Sequence, residues 1–214
     1  MDSKFLHLRK PFLQPKQSIL LAEFFGIMLG DGGLSKYQAM ITLNRFDDKE
    51  YIVFVSNLII KLFNIKPKLH IYKDDPVRKS VARIQISRRG LIEYFIDHGL
   101  IIGNKVFQQA TVPNWILEND KYRTACLRGL VDTDGCVYTN TYIVNNKKYS
   151  YRKIAFSNRS IPLLEFVYDT CKILGLNPYL NKGIDVRITS QKGVKDYMKI
   201  VGTHNLKHLK RFKN

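Results

Sequence analysis

The chain is short of acidic residues, of cysteine and of long apolar runs, and each shortage narrows what it can be. Against 35 Lys and Arg there are only 18 Asp and Glu, a formal net charge of +17 over 214 residues. That balance favours a polyanionic partner, most often nucleic acid. The three cysteines, Cys126, Cys136 and Cys171, form no CxxC pair and have no histidine at zinc-ligand spacing. This excludes a disulfide-stapled or zinc-finger scaffold and points to free thiols in a reducing compartment. No apolar run approaches the roughly 20 residues of a membrane span, and the basic N-terminal stretch lacks the continuous apolar core of a signal peptide. The expected protein is soluble and intracellular, in the cytoplasm of a prokaryote or in an organelle matrix. What the chain does have is 45% hydrophobic residues, enough for an ordinary globular core.

It also repeats itself. Phe24-Phe25-Gly26-Ile27-Met28-Leu29-Gly30-Asp31-Gly32 returns as Leu127-Arg128-Gly129-Leu130-Val131-Asp132-Thr133-Asp134-Gly135, with Asp31 and Asp134 103 positions apart. Gly90-Leu91-Ile92-Glu93-Tyr94-Phe95 returns as Gly193-Val194-Lys195-Asp196-Tyr197-Met198 at the same offset. Between them, Asn64-Ile65-Lys66-Pro67 and Gly175-Leu176-Asn177-Pro178 are 111 apart. The second copy should therefore have a longer first connection and a shorter second one, changes that surface loops and hairpins tolerate. The pattern is a tandem duplication rather than a short-period solenoid.

Each copy reads as αββαββα, an α+β unit. Helices are expected over about Ser18–Asp31 and Asp120–Asp134, capped by Ser18 and Asp120. Strands follow over Gly33–Tyr37 and Ala39–Arg45, and over Val137–Val144 and Tyr149–Asn158. Second helices run about Asp48–Phe63 and Ile161–Leu174, with Asp47 and Ser160 as caps and helical spacing in Ile52, Val55, Ile59 and Leu62. Two more strands, Lys68–Tyr72 with Ala82–Ser87 and Pro178–Asn181 with Asp185–Thr189, lead to closing helices over Arg89–His98 and Lys192–Ile200. The expected organisation is a basic extension over 1–17, a first subdomain over 18–102, a linker over 103–119 and a second subdomain over 120–214. Gly26 and Gly30, and Gly129 and Thr133, lie one turn apart. Small residues so spaced let two helix backbones approach, so the first helices should pack on each other.

Asp31 and Asp134 then stand at helix C-termini, where the macrodipole disfavours negative charge. Gly32 and Gly135 fit left-handed caps, but that leaves an aspartate before each unexplained. If the helices pack at their small residues, the two carboxylates converge, which is unfavourable unless a cation lies between them. Oxygen donors with open positions suit Mg²⁺, and Mn²⁺ or Ca²⁺ would suit the same donors, Ca²⁺ without productive turnover. Carboxylates, divalent metal and a basic surface together suit phosphodiester hydrolysis. Asp132 has no acidic counterpart, because Leu29 stands there, and is not expected to bind metal.

Both segments resemble the LAGLIDADG motif of homing endonucleases, the second (LRGLVDTDG) closely and the first (FFGIMLGDG) as a looser variant. The resemblance spans nearly the whole chain and is to the monomeric, two-motif type. It implies a pseudo-symmetric tandem repeat whose two twisted antiparallel sheets form a DNA-binding saddle, with the motif helices between the halves. It implies metal binding by Asp31 and Asp134, with Gly30 and Thr133 beside them. It also implies a basic catalytic residue flanking each half-site, matched by Lys105 and Lys207, and a polar residue at the end of the second strand of each unit. The candidates for the latter are Asn44 or Arg45, and Ser157 or Asn158. The implied activity is double-strand DNA cleavage with short 3′ overhangs, in intron homing.

A two-stranded ribbon fits the major groove, and alternation leaves one sheet face for DNA. Candidate contacts in the first copy are Ser35, Lys36, Tyr37, Gln38, Thr42, Asn44, Arg45, Lys73, Arg78, Lys79, Arg83 and Gln85. In the second they are Tyr138, Asn140, Tyr142, Lys147, Lys148, Tyr149, Tyr151, Arg152, Lys153, Ser157, Asn158, Asn181, Lys182, Arg187 and Thr189. Because the two sets differ, the target should be long and only pseudo-palindromic. The rival expectation is a nucleic-acid-binding protein on the same fold without cleavage, either an intron RNA maturase or a transcription regulator.

Overall fold

The computed structural model describes residues 11–73, 75–181 and 183–213. The first ten residues of the expected basic extension, and Lys182, lie outside them. The first half runs α1 (Ile19–Leu29), β1 (Gly32–Leu34), β2 (Ala39–Asn44), α2 (Lys49–Phe63), β3 (Lys68–Ile71), β4 (Val81–Ile86) and α3 (Arg89–Asp97). A connector carries the short α4 (Asn114–Leu117). The second half runs α5 (Asp120–Asp134), β5 (Gly135–Val144), β6 (Lys147–Ser157), α6 (Ile161–Ile173), β7 (Tyr179–Asn181), β8 (Asp185–Ile188) and α7 (Gln191–Ile200), and α8 (Leu206–Lys213) follows it. Each half contributes one four-stranded antiparallel sheet, ordered β1-β2-β4-β3 and β5-β6-β8-β7. The identical order is the duplication seen in three dimensions.

The change of offset is visible in the hairpins. β5 and β6 are 10 and 11 residues long, against 3 and 6 for β1 and β2. The β5–β6 turn has Asn145 and Asn146 at φ 49° and 59°, the left-handed pair that a two-residue hairpin turn requires and that asparagine tolerates. β8 pairs with β6 only over Ile154–Ser157, so the outer part of this hairpin projects as a two-stranded ribbon. Conversely, residues 72–80 separate β3 from β4, while 182–184 suffice between β7 and β8.

Alternation in the strands gives each sheet one buried and one open face. Ile41, Leu43, Ala82, Ile84 and Ile86 face the helices in the first sheet, and Val137, Ile154, Phe156, Val186 and Ile188 in the second. An aromatic cluster fills the first half, with Phe24 5.1 Å from Phe63 and 5.4 Å from Phe95 between ring centroids.

α1 and α5 form the centre. A Cβ added at Gly26 would lie 2.2 Å from the Cys126 carbonyl oxygen, and one at Gly129 2.3 Å from the Glu23 carbonyl oxygen. Only hydrogen in place of a side chain lets these backbones meet, so the matched small residues are an interface. The Ser18 cap is present, its hydroxyl accepting from Leu21 N at 3.3 Å. Three local expectations change. Asn119, not Asp120, caps α5, accepting from Lys121 N and Tyr122 N, because its extended backbone leaves the side chain facing the free amides. Asp48, not Asp47, precedes α2. Neither Gly32 nor Gly135 is left-handed: Gly32 opens β1, and Gly135 (φ −94°, ψ 169°) is already extended, since the chain passes straight from helix to strand without a turn that reverses it.

Candidate active site

Asp31 follows α1 and Asp134 ends α5. Because the helices touch through Gly26 and Gly129, their C-terminal ends are brought together: a Cβ on Gly30 would meet Thr133 Oγ1 at 2.0 Å and lie 3.5 Å from Asp134 Oδ2. Burial and then the nearby charge of Asp134 push the Asp31 carboxyl up to about 7, against the pull of Lys105. Asp134 is also raised by burial, opposed by Lys105 and by a hydrogen bond from Asn158, whose Nδ2 donates to Oδ2 at 2.8 Å. Two half-buried carboxylates, each raised by burial and the first also by the charge of the second, offer hard oxygen donors that could hold a metal ion.

The two lysines sit differently. Lys105 Nζ donates to the carbonyls of Met28 (3.0 Å), Leu29 (2.8 Å) and Gly30, the last carbonyls of α1 that no intrahelical amide can reach. Burial lowers its pKa, while Asp134 and Asp31 work against that. Lys207 Nζ instead lies 2.8 Å from Asp48 Oδ1. Thr133 Oγ1 donates back to the Gly129 and Leu130 carbonyls, both at 2.9 Å.

Behind the carboxylates, between the helices, lies a second polar group that the sequence did not reveal. Glu23, fully buried, accepts from Arg128 Nη2 at 2.7 Å and contacts His204 Nδ1 at 2.5 Å. Burial alone would raise its carboxyl, but the bonds from His204 and Arg128 outweigh this and hold it below its ordinary value. Asp132 accepts from Thr203 Oγ1 and from His204 N (2.8 Å), and burial still pushes it up to about 7. Ligand atoms of Glu23, Asp132 and His204 lie within 4.8 Å of one another, a group that could hold a metal ion. Here, however, the oxygens are engaged by protein donors.

The open sheet faces carry many of the expected contact residues. In the first sheet these are Thr42, Asn44, Arg83 and Gln85, joined by Lys68 and His70, which face the same way by register. Ser35, Lys36, Tyr37 and Gln38 form the β1–β2 turn, where Gln38 accepts from Gln85 Nε2 at 2.8 Å. Asn44 Oδ1 accepts from Phe46 N and Asp47 N and makes no bond to Asp31, unlike Asn158 with Asp134. Arg45 packs on the Phe46 ring, and Arg78 on Tyr72 while paired with Asp75 at 2.6 Å. Lys73 and Lys79 lie with them in the β3–β4 connection.

In the second sheet Tyr138, Asn140, Tyr142, Tyr149, Tyr151, Lys153, Asn181 and Arg187 share the open face by register, with Tyr179. Tyr142, Tyr149 and Tyr151 stack, their centroids 5.7–6.5 Å apart. Lys147 opens β6 at the ribbon tip, Ser157 closes it and Thr189 follows β8. Lys148 and Arg152 alternate onto the opposite face, where Arg152 lies over Phe212. Arg187 is paired with Asp185 at 2.6 Å.

Residues 121–213 match the LAGLIDADG-like domain. The chain has the LAGLIDADG fold. Mesophilic variants of the homing endonuclease I-DmoI share 20% identity over 86% of this chain and 88% of theirs, with a TM-score of 0.53. Meganuclease I-SmaMI bound to uncleaveable DNA shares 10% over 91% and 89%, with a TM-score of 0.59. The N-terminal LAGLIDADG domain of DUF199/WhiA shares 15% over 86% and 81%, with a TM-score of 0.54. At these identities the likeness is one of fold. No curated protein matches the chain by sequence. Among the described residues, no helix is long and apolar enough to cross a membrane.

Proposed function

We propose that the protein is a monomeric, site-specific double-strand DNA endonuclease of the homing type, acting inside the cell. The observation that carries this is the meeting of two half-buried carboxylates, Asp31 and Asp134, at the ends of paired helices between two sheets whose open faces carry basic and polar side chains. Asp31 and Asp134, with Gly30 and Thr133 beside them, would hold Mg²⁺. When bound, the metal would lower the pKa of an attacking water and offset charge on the departing oxygen. The rest falls to the chain itself. Asn158 fixes the orientation of Asp134. Lys105, held at the end of α1 by its last carbonyls and within electrostatic reach of both carboxylates, sets a positive charge where negative charge develops on phosphate. The open faces bind the duplex, phosphate contacts setting position and base edges setting sequence.

The likeness to the DUF199/WhiA domain supports the alternative of nucleic-acid binding without cleavage, as in a transcription regulator or an intron maturase. Retention of an aspartate at both matched positions favours cleavage. Incubation with a randomised duplex library and Mg²⁺, followed by sequencing of cut ends, tests the choice. We expect ends that share one long pseudo-palindromic site. Retained binding with no cutting would overturn the enzyme reading.

A further inference from the structure

Lys105 and Lys207 follow the third helix of their respective halves, yet they are anchored by different means. Lys105 is held only by backbone carbonyls of its own half. Lys207 is held by a side chain of the other half, Asp48, at 2.8 Å. Asp48 stands at the start of α2 with its side chain 7% exposed. Its Oδ1 also accepts from Asn205 Nδ2 at 2.9 Å, and its Oδ2 from Asn44 N at 3.2 Å. Asn205, itself buried, donates to the Asp132 carbonyl at 3.0 Å, two residues before Asp134, and its Oδ1 accepts from the Lys207 amide at 3.1 Å. One connected set of bonds therefore runs from the end of α5 through Asn205 and Asp48 to Lys207.

The matched junction of the other half closes without charge. Ser160, at the start of α6, donates to the Ala110 carbonyl at 2.7 Å, and Ile161 N donates to Gln109 Oε1 at 2.9 Å. A neutral hydroxyl is thus enough to dock one half's tail on the other half's second helix. A buried carboxylate–ammonium pair gains little stability over such a contact, because desolvation offsets the attraction. The charge on Asp48 calls for another reason, and its place supplies one: it holds the Lys207 ammonium and, through Asn205, is bonded to the Asp132 carbonyl two residues before Asp134.

We propose that Asp48 is a positioning residue that sets Lys207 beside the carboxylate pair, so that cleavage of one DNA strand depends on Asp48 while cleavage of the other, served by Lys105, does not. This rests on the endonuclease reading. The test is single-turnover cutting, in excess Mg²⁺, of a duplex bearing the library-derived site with each strand labelled separately. Asp48→Asn should slow one strand about tenfold, the usual size of effect for a residue that orients a reacting group, and leave the other within about twofold. Nicked DNA should accumulate. Lys207→Ala should slow the same strand, and the double variant should be no slower than Lys207→Ala, since both act through one contact. Asp48→Glu should restore part of the rate.

Equal slowing of both strands, multiplying effects in the double variant, or wild-type rates in Asp48→Asn would overturn the proposal. Should Asp48→Asn fail to fold, shown by its melting curve, Lys207→Met carries the test, and unbiased cutting by that variant is the contrary result. A wild-type protein that cuts nothing overturns the endonuclease reading and this proposal together. Normal wild-type cutting with an unbiased variant overturns this proposal alone.

Discussion

Gly26→Ala opposes two physical effects of opposite sign. In an ordinary helix interior the change stabilises by about 1 kcal/mol, since alanine loses less backbone freedom than glycine. In α1 the new methyl would lie 2.2 Å from the Cys126 carbonyl oxygen and 3.0 and 3.1 Å from its carbonyl and α carbons. Those are backbone atoms of α5 and cannot rotate away. To reach ordinary contact the helices must separate by roughly 1 Å, a gap that forfeits a quarter to a half of each dispersion contact along the seam. Overpacking of this kind costs about 1–3 kcal/mol, more where the backbone itself is in the way. With the propensity gain subtracted, we expect a net loss of about 2 kcal/mol, a fall in melting temperature of about 4–8 °C for a chain of this size. Urea and thermal unfolding by circular dichroism would measure it. Gly33→Ala is the control, because a Cβ there meets nothing within 4 Å. A Gly26→Ala protein as stable as wild type or more so would refute the close-packed interface and with it the reason for the carboxylates to converge.

Other outcomes follow from the charges. The Asp31 carboxyl sits near 7 when folded and near 3.8 when exposed, so between those values the folded state holds a proton the unfolded state has released. Its contribution to stability is therefore full below about pH 4 and is lost as pH rises towards 7. Asp31→Asn should gain over wild type in metal-free urea melts by about 1–2 kcal/mol more at pH 8 than at pH 5, and a pH-independent difference would contradict the shift. Added Mg²⁺ should raise the wild-type melting temperature at pH 8 and leave Asp31→Asn nearly unmoved; equal rises would place the ion elsewhere, at Glu23, Asp132 and His204 for example. Arg128→Met strands Glu23, fully buried, with only His204 for a partner, and should lower stability by about 3 kcal/mol. A neutral result would mean that Glu23 takes up a proton at little cost.

The fold was largely legible in the sequence because it is written twice. Matched small residues located the seam, and the offset moving from 103 to 111 and back located the one long hairpin in each half. Asp31 and Asp134 were legible because their own helices deliver them to the same place. Asp48, Asn205, Glu23 and His204 were not, because each acts on a partner more than 100 residues away and no local pattern distinguishes it from a cap, a turn or a solvated side chain. Lys207, expected as the basic residue flanking the second half-site, lies in α8 and meets a carboxylate of the other half, a contact no local pattern announces. The alternation that exposes Lys153 turns Arg152 to the reverse face, and composition alone carries no such register.

Asp31 and Asp134 together should make one metal-dependent cutting site. Its most direct measurement is cleavage of the library-derived duplex by the wild type, Asp31→Asn and Asp134→Asn, with and without Mg²⁺, beside their binding in the absence of metal. The wild type should sever both strands only with the ion, and each variant should bind the duplex about as well as wild type yet make no double-strand break. Full cutting by either variant, or cutting by the wild type in a chelator, would contradict it.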